Sequence, residues 1–162
     1  METRIGVGYD IHRLVSGREL FIGGIEIPYI KGLQGHSDAD VLIHAICDAL
    51  LGAIAGGDIG KLFPDTDPAY RGIRSRELLK NVLELVRKKG YKITNVDTVV
   101  IAEEPNLSAF KNRIQENLSK IMKIDKNCVG IKAKTNEGLG ALGSKEGIAC
   151  YAVVLIRKES IL

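Results

Sequence analysis

Ile148-Ala149-Cys150-Tyr151-Ala152-Val153-Val154-Leu155-Ile156, near the end of the chain, is an unbroken apolar run. Its length and β-branched content fit a strand, and polar residues do not alternate along it. A strand of that kind needs cover on both faces of its sheet.

Working outward, Arg4 to Ile11 reads as a buried strand interrupted by glycines, and Glu19 to Ile27 as one or two short strands around Gly23-Gly24. The spacing predicts a helix from about Asp38 to Ala55, capped by Ser37 with Asp40 three residues later. Gly56-Gly57 ends it, and a polar loop runs from Asp58 to Gly72. A second helix starts after Ser75 and stops at Gly90. Val96 to Ala102 is a strand, Leu107 to Met122 a third helix, and Val129 to Lys134 and Ile148 to Arg157 complete the strands. This order argues for an α+β domain, a mixed β-sheet with helices packed on one face. In a chain of 162 residues a partner subunit is the natural cover for the other face. No repeat, linker or low-complexity tract divides residues 1–162, so one domain is expected.

Composition narrows the function. The net charge is +3 and no run of five like charges occurs, which argues against nucleic acid as a partner. No apolar stretch approaches the roughly 18 residues of a membrane span. Cys47, Cys128 and Cys150 show no CxxC spacing and leave an odd count, so they read as small buried hydrophobes in a reducing compartment. The N-terminus runs directly into a strand-like pattern, and a cytoplasmic location is expected.

All three histidines, His12, His36 and His44, lie in the first third of the chain. Asp10 and His12 are two residues apart on a strand and share a face. His44 and Asp48 are the only non-glycine polar residues between Val41 and Ala55. An unpaired imidazole buried there would cost on the order of 2–7 kcal/mol. Two imidazoles and a carboxylate suit zinc with a fourth position open, and Asp48, one turn beyond His44, is expected to orient that ring. The alternative is a core histidine bonded to a backbone carbonyl, with Asp10 ending a strand.

Two segments have the character of anion sites. His36-Ser37 precedes a helix whose first turn offers free N–H groups, although ordinary capping by Ser37 explains the same residues. Lys134-Thr135-Asn136-Glu137 follows a strand and opens the glycine-rich loop Gly138-Leu139-Gly140-Ala141-Leu142-Gly143. There Thr135 could hold a phosphate oxygen and Glu137 a second cation, or the segment is a plain flexible turn.

Together these motifs resemble the cyclodiphosphate synthase family. Gly6 to His12, His36 to His44 and Asp58 to Asp67 carry the likeness, and Asn95-Val96-Asp97, Ala102 to Pro105, Lys132 to Glu137 and Glu146 to Ala149 extend it nearly end to end. The resemblance implies a homotrimer with active sites between adjacent subunits. It implies a phosphorus–oxygen lyase of the non-mevalonate isoprenoid pathway. The substrate would be 4-diphosphocytidyl-2-C-methyl-D-erythritol 2-phosphate, and the products CMP and 2-C-methyl-D-erythritol 2,4-cyclodiphosphate. By this resemblance Asp10, His12 and His44 are zinc ligands, and Glu137 holds magnesium or manganese. His36 and Thr135 are the catalytic pair. Asp10-Ile11-His12, His36-Ser37, Asp58-Ile59-Gly60, Phe63-Pro64-Asp65-Thr66-Asp67 and Lys134-Thr135-Asn136-Glu137 bind substrate. Ala102, Pro105, Asn106, Leu107 and Ser108 form the cytidine pocket.

The chain departs from the family at Asn106, where lysine is frequent, and at Ala141 and Ser144, where phenylalanine and arginine are common. Those last two bear on whether an isoprenoid phosphate binds along the trimer axis. Two other functions fit the same residues: a zinc-dependent nucleotide phosphohydrolase, and a non-catalytic sensor of cytidine nucleotides or isoprenoid phosphates.

Overall fold

The computed structural model describes residues 2–159. These residues form seven strands, three long helices and two one-turn helices, in the order read from the sequence except that the fourth strand and the one-turn helices were not anticipated. They are β1 (Thr3–Ser16), β2 (Leu20–Ile22), β3 (Ile25–Ile27), β4 (Lys31–Leu33), α1 (Val41–Ala53), the one-turn α2 (Ile59–Leu62), α3 (Ser75–Lys88), β5 (Tyr91–Ile101), α4 (Lys111–Met122), β6 (Val129–Lys134), the one-turn α5 (Gly140–Gly143) and β7 (Gly147–Lys158).

The main sheet has the order β4-β1-β7-β5-β6, and β2 and β3 pair in a separate hairpin. Strand β7 is central and antiparallel to both neighbours, while β5 and β6 run parallel. The sheet is therefore mixed, as expected. Helices α1, α3 and α4 form a layer on one face. The apolar residues of α3 at Leu78, Leu79, Val82, Leu83 and Val86 are buried, a stripe of helical period.

Helix α1 lies directly on β1 because two glycines remove the side chains between them. A Cβ on Gly6 would stand 1.8 Å from the carbonyl oxygen of Ala49, and one on Gly8 1.9 Å from that of Ala45. Gly6, Gly8, Asp10 and His12 share one face by strand alternation. The contact that seats the helix therefore also sets His44 above Asp10 and His12.

The helix begins later than its sequence pattern indicates. Asp40, not Ser37, is the N-cap of α1 and accepts from Ile43 N at 3.1 Å. Its fully buried carboxylate also accepts from Gly23 N at 2.9 Å and Gly24 N at 2.6 Å, tying the β2–β3 turn to the helix. With three backbone donors converging on Asp40, Ser37 is left in the preceding loop.

On the opposite face of the sheet, Ile5, Val7, Tyr9 and Ile11 of β1 and Tyr151 and Val153 of β7 are exposed, between 46% and 71%. The apolar run of β7 thus divides by alternation from Cys150 onward, its helix-facing residues buried and Tyr151 and Val153 left without cover among the described residues. Among the described residues no helix is long and apolar enough to cross a membrane.

Candidate metal and substrate site

Asp10, His12 and His44 converge. Asp10 Oδ2 is 2.9 Å from His12 Nε2 and 3.1 Å from His44 Nδ1, and the two nitrogens are 3.2 Å apart. The hydrogen bonds behind these rings fix their tautomers. His12 Nδ1 faces the carbonyl oxygen of Gln34 at 2.8 Å, which can only accept, so Nδ1 carries the proton and Nε2 a lone pair. His44 Nε2 lies 2.9 Å from Ser75 Oγ, and Ser75 in turn donates its one hydroxyl proton to Asp38. The hydroxyl must therefore accept from His44, which leaves a lone pair on Nδ1.

Three acceptor atoms, one of them anionic, thus point at one another. A tetrahedral zinc with bonds of about 2.0–2.1 Å sets its ligand atoms about 3.3 Å apart, close to this triangle. The donor set fits the ion. Without metal, a second proton on the imidazoles turns His12 and His44 into donors to Asp10; burial works to raise the Asp10 carboxyl, but those bonds prevail and hold it at about 2. Burial likewise opposes charge on His12, and the bond to Asp10 outweighs it, so that His12 is raised.

Asp48 does not serve His44. Its Oδ1 accepts from Ile59 N at 2.7 Å, fastening α2 to α1. The place expected for it is filled by Ser75, fully buried at the start of α3, with Asp38 behind it.

A cavity of about 190 Å³ opens beside these three residues. Among the expected residues its walls include His36, Ser37, Ile59, Gly60, Phe63 and Asp65; Gly35, Tyr70, Ile73 and Leu78 complete them without having been anticipated. Ser37 Oγ lies 3.2 Å from His44 Nε2, and the His36 ring donates through Nε2 to the Asp67 carbonyl at 3.3 Å. Asp58 is the N-cap of α2. Asp58, Pro64, Thr66 and Asp67 belong to the same loop but are not among the cavity walls. Ile11 sits on the outer face, 46% exposed, with its side chain turned away from this cavity.

The remaining expected residues form a second group. Because β5 and β6 are parallel, the loops that leave their C-terminal ends run side by side. Ala102 N donates to Lys134 O at 2.9 Å, and Glu103 Oε1 accepts from Asn136 N at 2.7 Å and Gly138 N at 3.1 Å. Glu103, unassigned in the sequence, thereby joins the segment Ala102–Ser108 to Lys134–Glu137. Leu107 is buried, while Asn106, Ser108, Lys134, Thr135 and Glu137 are exposed.

No residue of this second group is among the cavity walls. Asp10 pairs with Cys150, Cys150 with Val100, and Val100 with Ala133. Three strand spacings of about 4.8 Å put them about 14 Å apart along the sheet.

This geometry coincides with a known class. Residues 3–157 match the YgbB family, and the chain belongs to it. It is 56% identical to the 2-C-methyl-D-erythritol 2,4-cyclodiphosphate synthase of Chloroherpeton thalassium over 96% of this chain and 99% of that one. Its fold superimposes with a TM-score of 0.88 on a 2C-methyl-D-erythritol-2,4-cyclodiphosphate synthase solved with CDP bound, at 40% identity over 95% of this chain and 100% of the other. It also matches the bifunctional IspDF of Campylobacter jejuni, with a TM-score of 0.94 and 40% identity, covering 98% of this chain and 43% of that longer one.

Proposed function

We propose that this chain converts 4-diphosphocytidyl-2-C-methyl-D-erythritol 2-phosphate to 2-C-methyl-D-erythritol 2,4-cyclodiphosphate with release of CMP, in the non-mevalonate isoprenoid pathway. The observation that carries the reading is the convergence of lone pairs from Asp10, His12 and His44 on one cavity, in a member of the YgbB family. The name of the Chloroherpeton relative and the CDP bound to the structural neighbour support the same substrate class.

Zinc held by Asp10, His12 and His44, and magnesium or manganese held by Glu137, would supply positive charge to the phosphate oxygens. The chain provides no nucleophile. An oxygen of the 2-phosphate forms a bond to the diphosphate phosphorus nearer the sugar. The bond from that phosphorus to the bridging oxygen breaks, and CMP leaves with the electron pair. His36 and Thr135 hold the phosphate oxygens as charge shifts between them. Ser37, Asp58, Ile59, Gly60 and the segment Phe63–Asp67 hold the erythritol end. Ala102, Pro105, Asn106, Leu107 and Ser108 take the cytidine. With both ends of a flexible substrate fixed, the attacking oxygen is held near its target, which is a large share of the catalysis.

In this reading each reaction centre joins the metal half of one subunit to the loop half of the next in a homotrimer in the cytoplasm. The separation of about 14 Å between the halves and the exposed apolar face of β1 and β7 support that arrangement.

The test is to incubate the protein with the cytidyl substrate and magnesium and follow products by phosphorus NMR. CMP with a cyclic diphosphate, lost in His44→Ala, is the expected result. A linear phosphate product would identify a hydrolase instead. Tight nucleotide binding without turnover would identify a sensor.

A further inference from the structure

Arg18 leaves the turn between β1 and β2 and is absent from the walls of the metal cavity. Its guanidinium reaches the far side of the loop that carries His36. Nη1 donates to the carbonyl oxygen of Gly35 at 2.9 Å, and Nη2 to that of Ser37 at 2.7 Å. One planar cation thus grips the two carbonyls that bracket His36, with the fork geometry that only arginine offers.

The loop needs such a grip. It lies between the end of β4 at Leu33 and the cap of α1 at Asp40, with no regular structure of its own. It is also crowded: a Cβ on Gly35 would meet that of Ala39 at 2.8 Å and the ring of His12 at 3.3 Å. Three backbone bonds hold it elsewhere, Gln34 N to Arg13 O at 2.8 Å, Gly72 N to His36 O at 2.8 Å and Asp38 N to Ile73 O at 3.2 Å.

Peptide planarity gives the grip a directional consequence. The C=O and N–H of a trans peptide point in opposite directions. Drawing the Gly35 carbonyl toward Arg18 therefore turns the N–H of His36 away from it. Among the described residues that N–H has no acceptor. A carbonyl oxygen facing a phosphate would repel it, so the orientation of these two peptides decides whether the loop tolerates an anion.

We propose that Arg18 is a positioning residue, which fixes the Gly35–Ser37 loop and through it the His36 ring while touching neither substrate nor metal. The inference rests on the role given to His36 above, and its test separates the two.

With only three histidines in the chain, long-range nitrogen–proton spectra resolve each ring. In Arg18→Ala the His36 signals shift or broaden, while those of His12 and His44 keep their wild-type positions. Catalysis falls in kcat by about tenfold to a hundredfold, with KM and zinc content close to wild type. Arg18→Lys, which can bond to only one carbonyl at a time, falls between the two. In a His36→Ala background the Arg18→Ala loss is much smaller, because the ring it positions is gone and only the orientation of the two peptides is left to change.

Unchanged His36 signals in a folded Arg18→Ala protein overturn the proposal. So does a loss of the same size with and without His36. Altered His36 signals with full activity in both Arg18→Ala and His36→Ala leave the clamp standing and overturn the catalytic role of His36.

Discussion

Ser75 Oγ stands 2.9 Å from Nε2 of His44 and gives its own proton to Asp38, so a half-buried carboxylate two residues from His36 determines which nitrogen of His44 faces the cavity. Orienting partners of this kind set both the geometry and the basicity of a metal ligand.

Ser75→Ala should therefore weaken zinc binding about tenfold to a hundredfold without abolishing it, since Ser37 Oγ remains 3.2 Å from the same nitrogen. Competition against a chromogenic chelator measures the effect. Wild-type affinity in the variant would show that Ser37 alone orients the ring.

Proton and metal compete for the same three atoms. In the metal-free chain Asp10, held at about 2, adds stability that is present above its unfolded value of about 3.9 and lost as pH falls toward the folded one. His12 is raised, so its contribution is full below about 6.5 and is lost as pH climbs through the folded value. Zinc requires a neutral His12. The rise in melting temperature caused by zinc should thus grow as pH increases above about 6.5, measured by thermal unfolding with and without chelator. A constant rise across that range would remove His12 from the ligand set.

Gly8→Ala should be costly for its size. The new methyl would collide with the main chain of α1 rather than with a movable side chain. Overpacking of this kind costs about 1–3 kcal/mol or more, and it lifts the helix that carries His44. A melting temperature lowered by several degrees together with weaker zinc binding is expected. Loss of stability without loss of zinc affinity would mean that the ligand geometry survives a displaced helix.

Val7→Asp tests the outer face. Val7 is 67% exposed in the chain, so a charge there leaves the individual fold intact. Across an apolar subunit contact it is an unpaired buried charge. Light scattering should find the mass of one chain in the variant and a multiple of it in the wild type, with catalysis lost and zinc retained. A wild type that is itself a single chain would refute the assembly.

Much of this was legible in the residues. Helical and strand periodicity placed the long elements within about five positions, and Asp-x-His with a histidine on an apolar helix picked out the three residues that converge. Two errors came from reading local pattern where tertiary contacts decide. Ser37 and Asp40 both fit a cap, and the choice fell to Asp40 because the turn at Gly23 and Gly24 brings it two further donors. Asp48 has the right helical offset from His44, yet Ile59 claims it. Ser75, Asp38, Arg18 and Glu103 act through partners 17 to 37 positions away, and no spacing rule reaches that far. Polar residues at element ends, such as Ser75 opening α3, were the one available hint.

The distance between the two halves of the site has a genetic corollary. In the assembly proposed above, damage to the Asp10–His12–His44 triangle and damage to the Thr135 loop of one chain fall in different reaction centres. Chains carrying His44→Ala and chains carrying Thr135→Ala, each inactive alone, would together build mixed assemblies in which one junction joins two undamaged halves. Two dead alleles would then restore function to each other, which a site contained within a single chain could never allow.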